Sequence, residues 1–300
     1  MAVTERDPEL ASSQFQQTLL ASEVGISVIR IEPSGGWLSL GLREIWAYRE
    51  LTYFLIWRDV KIRYKQTAIG AAWAVLQPLL TMVVFTLLFN RIAEIPSDGL
   101  PYPLFAFTAL LPWSFFAGAL TRCSASVVSQ SNLISKVYFP RLILPISAAV
   151  SGIVDFAIAF VILIIMMVWY GVAPNWGIVL LPVFLFLGLM AALSIGLWLA
   201  SLNVRYRDIG HAVPFLVQIW MFVSPVAYSA SLVTEKWQKW QFLYSLNPMV
   251  GVIEGFRWAL LGQAHPPFYP VLLSVVIVTA LFVGGLLFFK RTEQDFADVV

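Results

Sequence analysis

Apolar runs of roughly twenty residues recur along this chain, each bounded by charged or turn-forming residues. Twenty helical residues at 1.5 Å rise match a hydrocarbon core roughly 30 Å thick. Inside hydrocarbon the backbone has no water to bond, so such runs satisfy their own N–H and C=O groups as helices. The runs fall at 69–89, 100–121, 146–168, 178–202, 212–228 and 270–289. They predict an all-α integral membrane protein with six transmembrane helices. Only 12% of the 300 residues are charged, against roughly 25% in an ordinary soluble domain, and 59% are hydrophobic. That balance excludes a soluble enzyme, a disordered chain and a nucleic-acid-binding protein, because too little polar surface is left to cover the fold.

The inventory of reactive groups is equally restrictive. The single cysteine, Cys123, forbids an intramolecular disulfide. Two distant histidines, His211 and His265, do not make a Cys/His metal cluster. No phosphate-cradling glycine loop, zinc-protease helix, nucleophile elbow or paired catalytic carboxylate occurs. Asp155 is the one charge in the six runs, too few ionisable groups for an ion-coupled carrier. The chain therefore reads as having neither an ATPase nor an ion relay of its own, so its energy is expected to come from a partner.

Between the runs the segments differ. Residues 1–36 read as a polar tail with a β-like stretch at 26–31 and no apolar leader core, so insertion is expected through an internal span. Residues 37–68 read as an interfacial amphipathic region. Within it Tyr53, Trp57, Val60 and Tyr64 recur at helical spacing, with Arg58, Lys61 and Lys65 on another face and Asp59 and Arg63 as an i,i+4 pair. Such a helix lies on an anionic lipid surface. The first run holds Pro78, which should kink it; the second holds Pro101, Pro103 and Pro112 and should be broken or tilted. Residues 122–145 read as a loop, polar and then basic. The fifth run is short, with Pro214, Gln218 and Pro225. Before the last run, Asn247 reads as an N-cap and Pro248 as a first helical residue. Met249, Val252, Ile253, Phe256 and Leu260 then repeat at helical spacing until Gly262. That helix is too short to span, so it should re-enter the membrane or lie on it. With the N-terminus inside, fifteen of nineteen Lys and Arg residues fall on the inner side, so both termini should be cytoplasmic.

Five blocks carry a resemblance. They are the stretch from Trp57 to Thr67 with Gly70 and the run from Trp73 to Pro78; Leu133 to Arg141 with Pro145; Asn203 to Ile209; Ser224, Pro225, Val226 and Tyr228; and Asn247 to Met249 with Glu254 and Arg257. In this order, over residues 37–300, they resemble the permease subunits of bacterial type-2 ATP-binding-cassette polysaccharide exporters, which handle O-antigen, capsule and teichoic acid. The resemblance implies a homodimer in the bacterial inner membrane, paired with two copies of a cytoplasmic ATPase. That ATPase would bind ATP and Mg, and this chain would hold no cofactor. It implies that a polysaccharide linked to a polyprenyl diphosphate passes through the membrane.

Residue roles follow as expectations. Arg58, Lys61, Arg63 and Lys65 could form a gate that catches the diphosphate headgroup, or could simply anchor the helix on anionic lipid. By resemblance the block 133–141 is the coupling helix, so Ser135, Lys136, Tyr138 and Arg141, with Arg205, Arg207 and Asp208, would face the ATPase; the plain alternative is a basic loop. Trp73, Trp113, Phe116, Trp220 and Phe222 could line a sugar path, although tryptophan gathers at membrane interfaces in any case. Asp155 needs a partner, most simply a helix–helix hydrogen bond. Asn247, Pro248, Glu254 and Arg257 mark the outer region, with the Glu254 and Arg257 pair read as structural glue. Two competing functions remain: a related permease for small hydrophobic substrates or ions, and a membrane-embedded lipid-glycan transferase, which would need an acidic metal-binding pair that Asp59 or Asp208 alone does not supply.

Overall fold

The computed structural model describes residues 42–65, 70–236, 238–262, 266–293 and 296; the expected tail 1–36, its β-like stretch and His265 lie outside them. Among the described residues all regular structure is helical. We label α1 Leu42–Ala47, α2 Arg49–Lys65, α3 Gly70–Phe85, α4 Tyr102–Ser129, α5 Ser131–Ile134, α6 Ile143–Val150 and α7 Ile153–Trp169. There follow α8 Leu181–Arg205, α9 Ile209–Val223, α10 Ala230–Lys236, α11 Gln241–Ser245, α12 Pro248–Leu261 and α13 Phe268–Thr292. Five stretches are long and apolar enough to cross a membrane: Val75–Ile92, Tyr102–Ser129, Ile143–Trp169, Trp176–Arg205 and Phe268–Thr292. The fifth expected run yields only α9, 15 residues or about 22 Å long. Its main chain ends where Ser224 turns extended and Pro225 forbids continuation.

The helix α4 is the centre of the fold, packed against α3, α6, α7, α8, α9 and α12. Of the two outcomes its prolines led us to expect, a break does not occur: the helix is continuous. Pro101 and Pro103 stand at its start, where the missing N–H costs nothing, and Pro112 lies inside without ending it. It also continues eight residues into the stretch expected to be a loop. The hydroxyls of Ser124, Ser126 and Ser129 donate back to the carbonyls of Thr121, Cys123 and Ser126 at 2.8, 2.7 and 3.1 Å. Their polarity is thereby absorbed within the helix, and Ser124 and Ser126 are buried.

The third run is divided. The Gly152 amide bonds Ala149 O at 3.2 Å instead of closing a full α-turn on Ala148. The freed Ala148 carbonyl accepts from the Ser151 hydroxyl at 2.8 Å and from Arg122 Nε at 3.1 Å. The kink thus holds an arginine of α4.

At one end of the molecule a buried cluster gathers Leu55, Val127, Ile134, Phe139, Leu142, Val204 and Phe289. These residues belong to the segments that carry the chain's bases: α2, the end of α4, the link to α6, the end of α8 and the end of α13. Hydrogen bonds tie the base-poor links together elsewhere: Ser229 Oγ to Asp98 at 2.7 Å, Tyr102 OH to Ala227 O at 2.7 Å and Asn175 N to Ala259 O at 3.2 Å.

The helix α12 has the caps expected of it. Asn247 Oδ1 accepts from Met249 N at 3.0 Å, and Gly262 ends the helix with φ +73°, which a side chain would strain. Every residue of α12 is buried, not one apolar stripe.

Candidate functional site

The face of α2 that carries the aromatic periodicity is split along its length. Val60 is buried and Tyr64 half-buried, whereas Tyr53 and Trp57 are 69% and 55% exposed; Leu55, outside that set, is buried as well. The packing also divides the basic set. Arg58 and Arg63 turn inward; Lys61 and Lys65 stay exposed. Arg58 bonds Asp59 at 2.8 Å and the Gln130 side-chain oxygen at 3.1 Å. Arg63 reaches 92 residues along the chain to ion-pair with Asp155, and its other nitrogen meets Ser151 Oγ at 3.3 Å. The Tyr64 hydroxyl donates to the same carboxylate. Burial, reinforced by Asp155, pushes the Tyr64 phenol up to about 12, so near neutral pH it keeps the proton it donates.

A third group completes the cluster, and sequence reasoning missed it. Arg122, read as the first residue of a loop, is on α4 with Nη1 4.0 Å from Asp155. Two cavities meet there. The larger, about 950 Å³, lies among α3, α4 and α9, with Trp73, Gln77, Thr81, Trp113, Ser114 and Gln218 among its lining. The smaller, about 260 Å³, includes Arg58, Asp59 and Gln130. Arg63 and Arg122 line both.

The aromatic candidates separate. Trp113, Phe116 and Trp220 form one cluster, with ring centroids 5.4, 5.2 and 6.5 Å apart. Trp73 and Trp113 line the large cavity, Phe116 is fully buried, and Phe222 is exposed outside the ring cluster. Trp220 Nε1 donates to Asn247 Oδ1 at 3.1 Å, and Asn247 Nδ2 to Ser224 Oγ at 2.9 Å. The cap of α12 is therefore also the clamp on the end of α9. Pro248 is buried at the start of α12; Glu254 and Arg257 pair at 3.0 Å in its interior.

The expected coupling helix over 133–141 is not one. Only α5 is helical, and the chain then turns and extends to Pro140, a residue that cannot continue a backbone ladder. Ser135, Lys136 and Tyr138 are exposed, as are Arg205, Arg207 and Asp208. Arg141 is committed elsewhere: its guanidinium donates to Glu293 O, and its amide donates to Glu293 Oε1 at 3.1 Å. Asn203 pins the second block. Its buried amide donates to Ser124 O at 3.0 Å, and its oxygen accepts from Gly210 N at 3.0 Å. Asn203→Leu should remove both of these bonds, at about 0.5–1.5 kcal/mol each. We expect about a 5 °C lower midpoint of thermal unfolding in detergent, reading that cost against a typical unfolding entropy. An unchanged midpoint would show that Asn203 pins nothing.

Residues 50–261 match the model of the ABC-2 type transporter family. Over 255 residues the chain is 31% identical to the O-antigen export system permease protein RfbA of Myxococcus xanthus, covering 84% of this chain and 96% of that one. It is 26% identical over 249 residues to a protein of the same name from Klebsiella pneumoniae, covering 81% and 92%. It is 23% identical to the polysialic acid transport protein KpsM of Escherichia coli, covering 80% and 92%. With five membrane-length helices and a family match over most of its length, this multi-pass membrane chain belongs to the ABC-2 type transporter family.

Proposed function

We propose that this chain is the permease subunit of an ATP-driven exporter that carries a lipid-linked polysaccharide across the bacterial inner membrane. The observation that carries this reading is the near-full-length similarity to permeases named for O-antigen export and polysialic acid transport. The large cavity agrees: two indoles, two glutamines and several hydroxyls suit a hydroxyl-rich polymer better than a purely apolar solute. The base-rich segments meet at one end, which supports a cytoplasmic placement of that end and of both termini. In this arrangement α2 lies at the inner interface, α9 is the fifth of six membrane helices, and α12 re-enters from outside. The permease acts as a homodimer, and two copies of a cytoplasmic ATPase bind ATP and Mg. The exposed segments at 135–138 and 205–208 form the surface those copies push on.

Lys61, Lys65 and the inward arginines receive a polyprenyl diphosphate headgroup, whose phosphate oxygens suit ammonium and guanidinium donors. Deleting the gene should strip one polysaccharide from the cell surface and accumulate it, still lipid-linked, inside. Unchanged surface glycan with loss of resistance to small hydrophobic compounds would replace this reading by a drug or ion permease. Crosslinks from Lys136 to the ATPase are expected in the assembled complex; a complex that assembles and exports without them would remove the 135–138 segment from the interface.

A further inference from the structure

The junction between the two cavities is built around one side chain, Arg122. A Cβ on Gly152 would stand 2.0 Å from Arg122 Nη2, and one on Gly118 2.9 Å from Nη1. The two glycines therefore make the slot in which the guanidinium lies. Its Nε is fixed by the Ala148 carbonyl freed at the α6–α7 kink, at 3.1 Å. No hydrogen bond from either Nη occurs among the described residues, and the only ion pair is the long one to Asp155 at 4.0 Å. An arginine carries five donors in a planar fork, so the outer edge of this one is held in place and unspent. Arg63 stands beside it, held by the same carboxylate. The two guanidiniums and the carboxylate carry a net positive charge at the wall shared by both cavities.

We propose that Arg122 and Arg63 form an anion site for a diphosphate group at this junction, and that Asp155 is its built-in counter-ion, neutralising the pair until the anion takes its place. This rests on the export reading for the source of the anion, and deepens it. Headgroup recognition is thereby extended inside the protein, below the exposed lysines of α2. Fork geometry favours two phosphate oxygens at once over a single carboxylate. Because Asp155 also receives Tyr64, displacing it from Arg63 would loosen α2 from α7, so occupancy of the site is coupled to the position of α2.

The test uses the full-length chain in phosphatidylcholine nanodiscs and radiolabelled inorganic pyrophosphate. Wild type should bind it, and Arg122→Gln should bind about tenfold more weakly, as expected for loss of a charge-assisted fork. Asp155→Asn, which removes the competitor, should bind about fivefold more tightly. Gly152→Ala, which displaces the fork without changing any charge, should weaken binding several-fold in protein that still elutes as wild type. Arg91→Gln, at an exposed residue near the end of the helical stretch Val75–Ile92 and outside both cavities, should bind as wild type. Equal binding by wild type, Arg122→Gln and Gly152→Ala overturns the site, as does weaker binding by Asp155→Asn. In a second arm, undecaprenyl diphosphate in the nanodisc should compete with free pyrophosphate; bound pyrophosphate that the lipid cannot displace would overturn the headgroup assignment. The two readings fail separately. Arg122-dependent binding in a protein whose deletion leaves every surface glycan intact sinks export and keeps the site. Arg122-independent binding alongside lost surface glycan sinks the site and keeps export.

Discussion

Arg257→Met should cost about 3–5 kcal/mol, enough to prevent recovery of well-folded protein, because it leaves a buried charge without its partner. Arg257 is 0% exposed. One nitrogen donates to Glu254 at 3.0 Å and to Tyr228 O at 3.1 Å; the other donates to Val226 O at 3.1 Å. The guanidinium carbon lies 3.7 Å from the centre of the Phe105 ring, close enough for a cation–π contact with the central helix. One side chain thus fixes α12, the turn after α9, and α4 together. Methionine fills most of the volume but supplies no donor, so Glu254 and two carbonyls lose theirs at once. The double change Glu254→Leu, Arg257→Met removes the stranded charge and should recover part of the loss. Thermal unfolding and monodispersity in detergent measure both. A single variant as stable as wild type would refute this account, and so would a double variant worse than the sum of its singles.

Local physics explains what could be read in advance. The limits of α12 depend on an Asx side chain reaching two residues on, a proline in the first turn and a left-handed glycine. All of these are contained within sixteen residues, so the expectation and the structure agree. The pairing of Glu254 with Arg257 was equally local; that both are enclosed by segments as far off as Phe105 was not. The same limit explains α2. Its period is helical as expected, but which face is buried is decided by Leu55 meeting residues such as Val127 and Phe289.

Polarity misled in one place. The serines at 124, 126 and 129 look like a loop, yet each hydroxyl bonds a carbonyl of its own helix, so the helix runs on and carries Arg122 inside. A signal for Arg122 did exist. It stands four residues after Gly118, at the end of an apolar run, in a stretch without an acid to pair it, and Asp155 waits unpaired in the next run. An arginine and an aspartate in consecutive membrane runs are each too costly to leave alone.

Lys61→Ala with Lys65→Ala should lower export at least tenfold while leaving the protein as stable as wild type. Both lysines are exposed, and among the described residues neither has an ion pair, so their removal should cost about 0.5 kcal/mol or less. That separates them from Arg58 and Arg63, whose loss would also disturb packing. If the lysines serve only to hold α2 on anionic lipid, the number of charges near the surface matters and their positions do not. If they present the headgroup to the cavity below, position matters. Adding Ile62→Lys, at a side chain 60% exposed on the same turn, returns one charge to the helix at a different angle. For anchoring it should restore most of the export; for headgroup capture it should restore little. Export is read as surface glycan per assembled complex. Normal export by the double variant, or full rescue by the added lysine, would reduce these two residues to a lipid anchor and leave Arg63 and Arg122 to recognise the diphosphate alone.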